Sequence, residues 1–247
     1  FTSLARGVED VAQQYGYSVV LCNSDDDVEK EAQYLRIAVS DSMAGVIICP
    51  ADTSTSLDGV IDSRRFAVVL DREIDDDVDH VLLDNEAMAR QAVRPLIEAG
   101  YQRIACVTGP ENIVTARTRA EVWRSELLEA GLEAPDEMLM HANFRVDGGR
   151  AATEQLLALP EPPDAVLATN NLGGVGVLQV LSERGLGQPG IGVSVIGNLP
   201  FATSSMSGIS VLPLFPREMG MAAAKLLMER VGGTATGPGR KFMLTDG

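Results

Sequence analysis

The sequence predicts an α/β protein of two doubly wound lobes with parallel sheets, joined by crossover strands. Three observations carry that prediction. Short apolar runs recur at residues 18–23, 45–50, 67–71, 103–109, 165–170 and 193–198. They do not alternate apolar with polar, which is how strands buried on both faces read. Stretches of helical periodicity separate them and supply the right-handed crossovers that parallel strands require. Ligands of such sheets lie beyond the carboxyl ends of the strands, where Asn23, Cys49, Asp71, Thr108, Asn170 and Asn198 fall.

Taken in order, a helix over 3–15 places Leu4, Val8, Val11 and Ala12 on one face. A strand over 18–23, a helix over 28–40, a strand over 45–50, a short helix near Leu57 and a strand over 67–71 follow. After an acidic loop come a strand over 80–84 and a helix over 85–99, stopped by Gly100 as a C-terminal glycine stops a helix. The second half reads strand 103–109, helix 116–130, short strand 138–144, helix 149–158, strand 165–170 and helix 174–183. It closes with strand 193–197, an extended segment 209–213, a helix over 217–231 and a strand over 241–244. Three strong parallel-type strands in each half imply two lobes hinged over a cleft. The amino-terminal lobe takes residues 1–82 plus 214–231, and the carboxy-terminal lobe 83–213 plus 232–247. The crossings fall near 79–84 and at Leu212-Pro213-Leu214-Phe215-Pro216, since prolines favour extended connectors.

Composition narrows the partners. A chain of 247 residues buries enough surface for a large core, and no apolar run reaches the ~20 residues of a membrane span. A net charge of −15 repels polyphosphate and anionic lipid, so this segment is not itself a DNA clamp. The 3 cysteines, Cys22, Cys49 and Cys106, all fall in predicted strands with no framework spacing, which points to buried free thiols and a cytoplasmic setting. The chain opens directly into helical periodicity without an initiator Met or signal peptide, so its start reads as cut.

Several chemistries find no footing. Gly173-Gly174-Val175-Gly176 opens a helix after a strand but lacks the full dinucleotide fingerprint, and reads as close helix packing. Asp75-Asp76-Asp77 with Asp79 lacks calcium-loop spacing and reads as a solvated loop. Asp25-Asp26-Asp27 supply negative charge to the start of the next helix. The 2 histidines, His80 and His141, are far apart with no cysteine at ligand spacing. No nucleophile motif is present, so neither a metal, a cofactor nor an enzyme is expected. Thr115 and Arg119 differ in kind, because their four-residue spacing puts both on one side of a helix that starts at a predicted strand end. There an Arg can donate paired hydrogen bonds to a ligand oxygen, the alternative being an ion pair with Glu111 or Glu121.

These residues resemble the effector-binding region of the lactose-repressor (LacI/GalR) family of bacterial transcription regulators. The matching phrases include Gly16-Tyr17-Ser18 with Asn23 through Asp27, Gly45-Val46-Ile47-Ile48, Leu70-Asp71-Arg72 and Leu96 through Ala105. Gly109-Pro110 through Arg119, Pro162 through Asn170 and Arg217-Glu218-Met219-Gly220 continue the likeness over almost the whole chain. The resemblance implies two lobes around a small effector, a sugar or related metabolite, in a homodimer that binds operator DNA only through an attached helix-turn-helix domain. It also implies that Asp71, Thr115, Arg119, Phe144 and Asn170 are ligand contacts. The chain departs from the family in three ways. The DNA-binding domain, hinge helix and first strand of the amino-terminal lobe are absent, with Phe1 matching the residue just after that strand. The family's Asn-Asp pair reads Asn170-Asn171. Its Gly-Phe-Asp-Asp-Leu-Pro segment reads Gly197-Asn198-Leu199-Pro200, which removes a carboxylate and leaves Asn198 as a neutral substitute. The alternative is a secreted solute-binding protein of an ABC transporter, and an enzyme on the same scaffold ranks last because only Asp71 sits where an acid or base would act.

Overall fold

The computed structural model describes residues 2–186, 190–199 and 208–244. The chain runs α1 (Thr2–Gln14), α2 (Val28–Ser40), β1 (Gly45–Ile48), α3 (Asp58–Asp62), β2 (Phe66–Leu70), β3 (Asp79–Leu83), α4 (Asn85–Glu98), β4 (Ile104–Thr108) and α5 (Val114–Glu129). A 3₁₀ turn (Asp136–Met138) leads to β5 (Leu139–His141), α6 (Val146–Leu157), β6 (Ala165–Ala168), α7 (Asn171–Glu183), β7 (Gly192–Ile196), β8 (Ile209–Leu212), α8 (Pro216–Val231) and β9 (Lys241–Leu244). The strands form two sheets, in the orders β1-β2-β3-β9 and β5-β4-β6-β7-β8, with every pairing parallel. Two compact units hold them: Phe1–Asp84 with Phe215–Gly247, and Asn85–Leu214.

In the first unit, Ile48, Ala67 and Val69 of the sheet meet Leu57 and Val60 to form a core, with Ile74 and Val78 closing it. Helix α2 starts where Asp27 caps it, its carboxylate accepting from the amides of Glu29 and Lys30 at 2.9 and 3.0 Å. Helices α1 and α8 pack backbone to backbone, because a Cβ at Gly7 or Gly220 would collide with a carbonyl of the partner helix.

Two expectations need correction here. Residues 18–23 are extended but pair with no strand among the described residues, and Val20 and Leu21 are 67% and 69% exposed. An apolar β-branched run carries strand propensity, yet a strand forms only where a neighbour supplies its ladder. Cys22 is exposed in consequence, Cys49 half-buried and Cys106 buried, so the buried-thiol reading fails for Cys22.

Residues 232–247 were expected in the carboxy-terminal lobe. Instead β9 pairs with β3, His80 opposite Lys241 and Leu83 opposite Leu244, which places this segment in the first unit. The reason is a buried carboxylate. Asp79 accepts from Arg230 Nε and Nη2 at 3.0 and 2.7 Å, and from the Arg240 backbone amide and Nη2 at 2.9 and 2.8 Å. These bonds fasten the end of α8 and the return loop to the start of β3. Asp79 is therefore no part of a solvated loop, and even its neighbours are engaged, Asp76 with the Leu57 amide and Asp77 with the Gly239 amide.

In the second unit the four inner positions of β6 and all of β4 and β7 are buried. Trp123 donates its indole N–H to the Ile104 carbonyl, and the Ser194 hydroxyl donates to the Ala92 carbonyl, fixing α5 and α4 to the sheet. The glycine cluster packs closely: a Cβ at Gly174 would lie 2.5 Å from Val195 Cγ1, and one at Gly176 would strike the α6 backbone. The strand expected over 138–144 is shortened to β5, because the chain leaves the sheet before Phe144 takes φ +58°. No described helix is long and apolar enough to cross a membrane.

Burial works against ionisation of Asp79, but the hydrogen bonds from Arg230 and Arg240 outweigh it and hold the carboxyl well below the usual carboxylate range. A depressed folded-state pKa stabilises above the unfolded value of about 3.9 and loses that contribution as pH falls below it. Asp79→Ala should destabilise the first unit by about 1–3 kcal/mol at pH 7, the cost of removing the buried acceptor that joins α8, the return loop and β3. Urea unfolding at pH 7 and pH 3 checks this, and the difference between variant and wild type should shrink at the lower pH.

Candidate functional site

The carboxyl ends of β4 and β6 gather the polar groups of the second unit. The Thr169 hydroxyl donates to Thr108 Oγ1 at 2.8 Å, and the Thr108 hydroxyl donates to the Ala116 carbonyl at 3.0 Å. Each hydroxyl has one proton, so this relay has a single direction, and it locks the first turn of α5 onto both strand ends. Thr115 and Arg119 project from that helix and are both buried. Arg119, 5% exposed, donates Nη1–H to the Thr169 carbonyl at 2.6 Å and Nε–H to Asn85 Oδ1 at 2.9 Å. Two of the oxygens that hold this buried guanidinium are thus a backbone carbonyl and a side-chain amide oxygen. Glu121, one of the anionic partners considered from sequence, faces Arg117 at 3.9 Å.

Phe144 lies beside this network. Its φ of +58° is strained for a bulky residue, and its ring occupies the space a side chain at Gly109 would need. Asn170 Nδ2 donates to the Phe144 carbonyl at 2.8 Å, which holds the strained residue in place. His141 Nδ1–H donates to the Gly109 carbonyl at 2.9 Å from the other side. Thr115, Arg119, Phe144 and Asn170 thus share one end of the second sheet.

Asn198 follows β7 and is exposed, with its amide turned to the chain itself: Nδ2 donates to the Leu214 carbonyl at 2.8 Å and Oδ1 accepts from the Leu214 amide at 3.2 Å. Pro200 of the phrase that suggested it, and Phe1, lie outside the described residues.

Asp71 belongs to the first unit, where it ends β2 in a left-handed conformation, φ +64°, with its amide donating to the Val81 carbonyl. The next residue organises that end of the sheet. Arg72 Nη1 donates to the carbonyls of Pro50 and Ala51 at 2.8 and 2.6 Å and to Asp26 Oδ1 at 2.8 Å. Glu31, also buried, accepts from the Ala51 amide at 2.7 Å and the Thr55 hydroxyl at 2.5 Å. Burial, together with the charges of Asp71, Asp26 and Glu31, pushes the Cys49 thiol up, so it stays protonated at neutral pH. Among the described residues no cluster of His, Cys, Asp and Glu forms a metal site.

Sequence reasoning missed the supports: Asn85, Thr169 and His141 beneath the second unit's site, Arg72 and Glu31 in the first. Thr169 and Arg72 were visible as residues next to strand ends, whereas Asn85 and Glu31 reach their partners across 34 and 20 residues of chain.

The family model for periplasmic binding proteins and the sugar-binding domain of the LacI family matches residues 1–241. The ribose operon repressor of Escherichia coli K12 is 30% identical over 238 residues, which cover 94% of this chain and 71% of that protein. The transcriptional repressor PurR of Vibrio atlanticus is 27% identical over 236 residues, covering 94% and 70%. Among solved structures, a LacI family regulator from Enterococcus faecium with bound ribose superposes with a TM-score of 0.84 at 25% identity, covering 99% of this chain and 90% of that one.

Gly109→Ala should displace the Phe144 ring and loosen its bond to Asn170. A loss of about 1–3 kcal/mol in stability follows from such overpacking, measurable by thermal unfolding.

Proposed function

The chain belongs to the LacI family, as its periplasmic-binding-protein-like effector domain, and from that membership we propose that it binds a small sugar, with D-ribose the first compound to test. Arg119, Thr115, Phe144 and Asn170 are the contacts in the second unit. The observation that carries the reading is Arg119. A buried guanidinium fixed on the Thr169 carbonyl and Asn85 Oδ1 carries five donors, which suits the hydroxyl and ring oxygens of a guest, and the Phe144 ring offers an apolar face for the sugar's C–H bonds. Asn170 and Asn171 offer amides where a carboxylate often stands, and amides both donate and accept. The ribose named in two of the similar proteins supports the pentose class.

On the same reading the regulator is a cytoplasmic homodimer, its operator contacts are made by a helix-turn-helix domain that this sequence does not contain, and the effector alters operator affinity by a coupling of about 1–3 kcal/mol.

Thermal unfolding with D-ribose, cellobiose, sugar phosphates and nucleobases tests the assignment. A ligand at a hundred times its Kd adds about 2.7 kcal/mol to stability, which raises Tm by several degrees in a protein of this size. D-ribose should do so in the wild type and not in Arg119→Ala; an equal rise in both would remove Arg119 from the site.

A further inference from the structure

The chain passes between its two units at Asp84–Asn85 and again at Leu214–Phe215. Each passage is hydrogen-bonded to a side chain of the second unit, Arg119 of α5 at the first and Asn198 after β7 at the second. Asn85, the first residue of α4, accepts from Arg119 Nε at 2.9 Å. Leu214, the last residue of the second unit, is bracketed by both halves of the Asn198 amide at 2.8 and 3.2 Å. We propose that Asn85 and Asn198 are positioning residues that report effector occupancy to the two linking peptides. The proposal rests on the reading of Arg119 as an effector contact.

Guanidinium geometry makes the first link stiff. The five donors lie in one plane, so fixing Nη1 on the Thr169 carbonyl and Nε on Asn85 defines that plane by two bonds. A ligand oxygen that draws Arg119 by a few tenths of an ångström must carry the Asn85 side chain along or break its bond. Asn85 stands next to Asp84, so that displacement acts directly on the torsions of the first linking peptide. Thr169 cannot absorb it, because its carbonyl belongs to the buried end of β6 and its hydroxyl is fixed to Thr108.

The second link has the form of a strand pairing made by a side chain. Gly197, at φ +111°, turns the chain after β7 while its amide still donates to the Leu212 carbonyl at 2.8 Å. Asn198 then carries the pairing two residues beyond β8, up to Leu214. A side chain that closes two hydrogen bonds on one exposed peptide, where water competes for both, positions that peptide more than it stabilises the fold.

Hydrogen exchange at the amides of residues 84–87, 214 and 215, with and without D-ribose, tests the relay together with calorimetric D-ribose affinity. In the wild type D-ribose should slow exchange at both passages several-fold. Asn85→Ala should bind D-ribose about tenfold more weakly, the loss of one charge-assisted bond, and lose the ribose-dependent change at 84–87. Asn85→Asp keeps an acceptor at the same place and should restore both. A merely structural Asn85 would lower Tm and leave the ribose-dependent difference intact, and that result overturns the relay. Should Asn85→Ala fail to fold, Asn198→Ala at an exposed side chain decides: unchanged ribose-dependent protection at 214 and 215 overturns the proposal. A wild type that shows no D-ribose binding fails the effector reading before any Asn85 variant is made, and the relay falls with it.

Discussion

Parallel strands buried on both faces leave polar chemistry few places to collect, above all their carboxyl ends. The inner strands are apolar over most of their length, with Ser194 inside β7 and Asp79 and His80 at the start of β3 the bonded exceptions, so most hydroxyls, amides and charges appear where a strand stops. Thr108 and Asn170 sit there in the second unit, Asp71 and Arg72 in the first. The helix that follows each strand presents its amino end to the same place, which is favourable for oxygen-bearing guests. Function is thus concentrated by the architecture before any particular side chain is chosen.

Two buried charges show how differently the protein uses the same element of cost. Asp79 is surrounded by arginines that neutralise it, at the amino end of β3, and its work is to fasten α8 and the return loop to the sheet. Arg119 is held by a carbonyl and an amide oxygen at the opposite kind of strand end. The first is a clasp whose partners are all in the fold. The second has two of its donors fixed on neutral oxygens, the Thr169 carbonyl and the Asn85 side chain. Its bond to Asn85 makes the same side chain a connection to the place where the chain leaves the unit.

Much of the fold was legible because local signals agreed. Helix α2 was readable to the residue from its periodicity and the Asp27 cap, and Gly100, at φ +89°, ends α4 as its position suggested. What escaped depends on partners far away in sequence. Residues 18–23 have the composition of a strand, and only the absence of a pairing neighbour among the described residues keeps them out of the sheet. The place of β9 is set by bonds from Asp79 to Arg230 and Arg240 across 151 and 161 residues, a pairing no local pattern reveals. In the site, Arg119 and Thr115 were readable from helical spacing after a strand end. The left-handed Phe144, the Asn85 support and the inward turn of the Asn198 amide were not, since each is decided by a backbone torsion or a tertiary hydrogen bond rather than by residue type.

A crystal structure of the protein grown with D-ribose tests most directly the proposal that Arg119, with Asn170 and Phe144, forms a sugar site. Ribose oxygens within hydrogen-bond distance of Arg119 and Asn170, with the sugar ring against Phe144, is the predicted result. Ribose bound elsewhere on the protein, with no contact to Arg119, would contradict it.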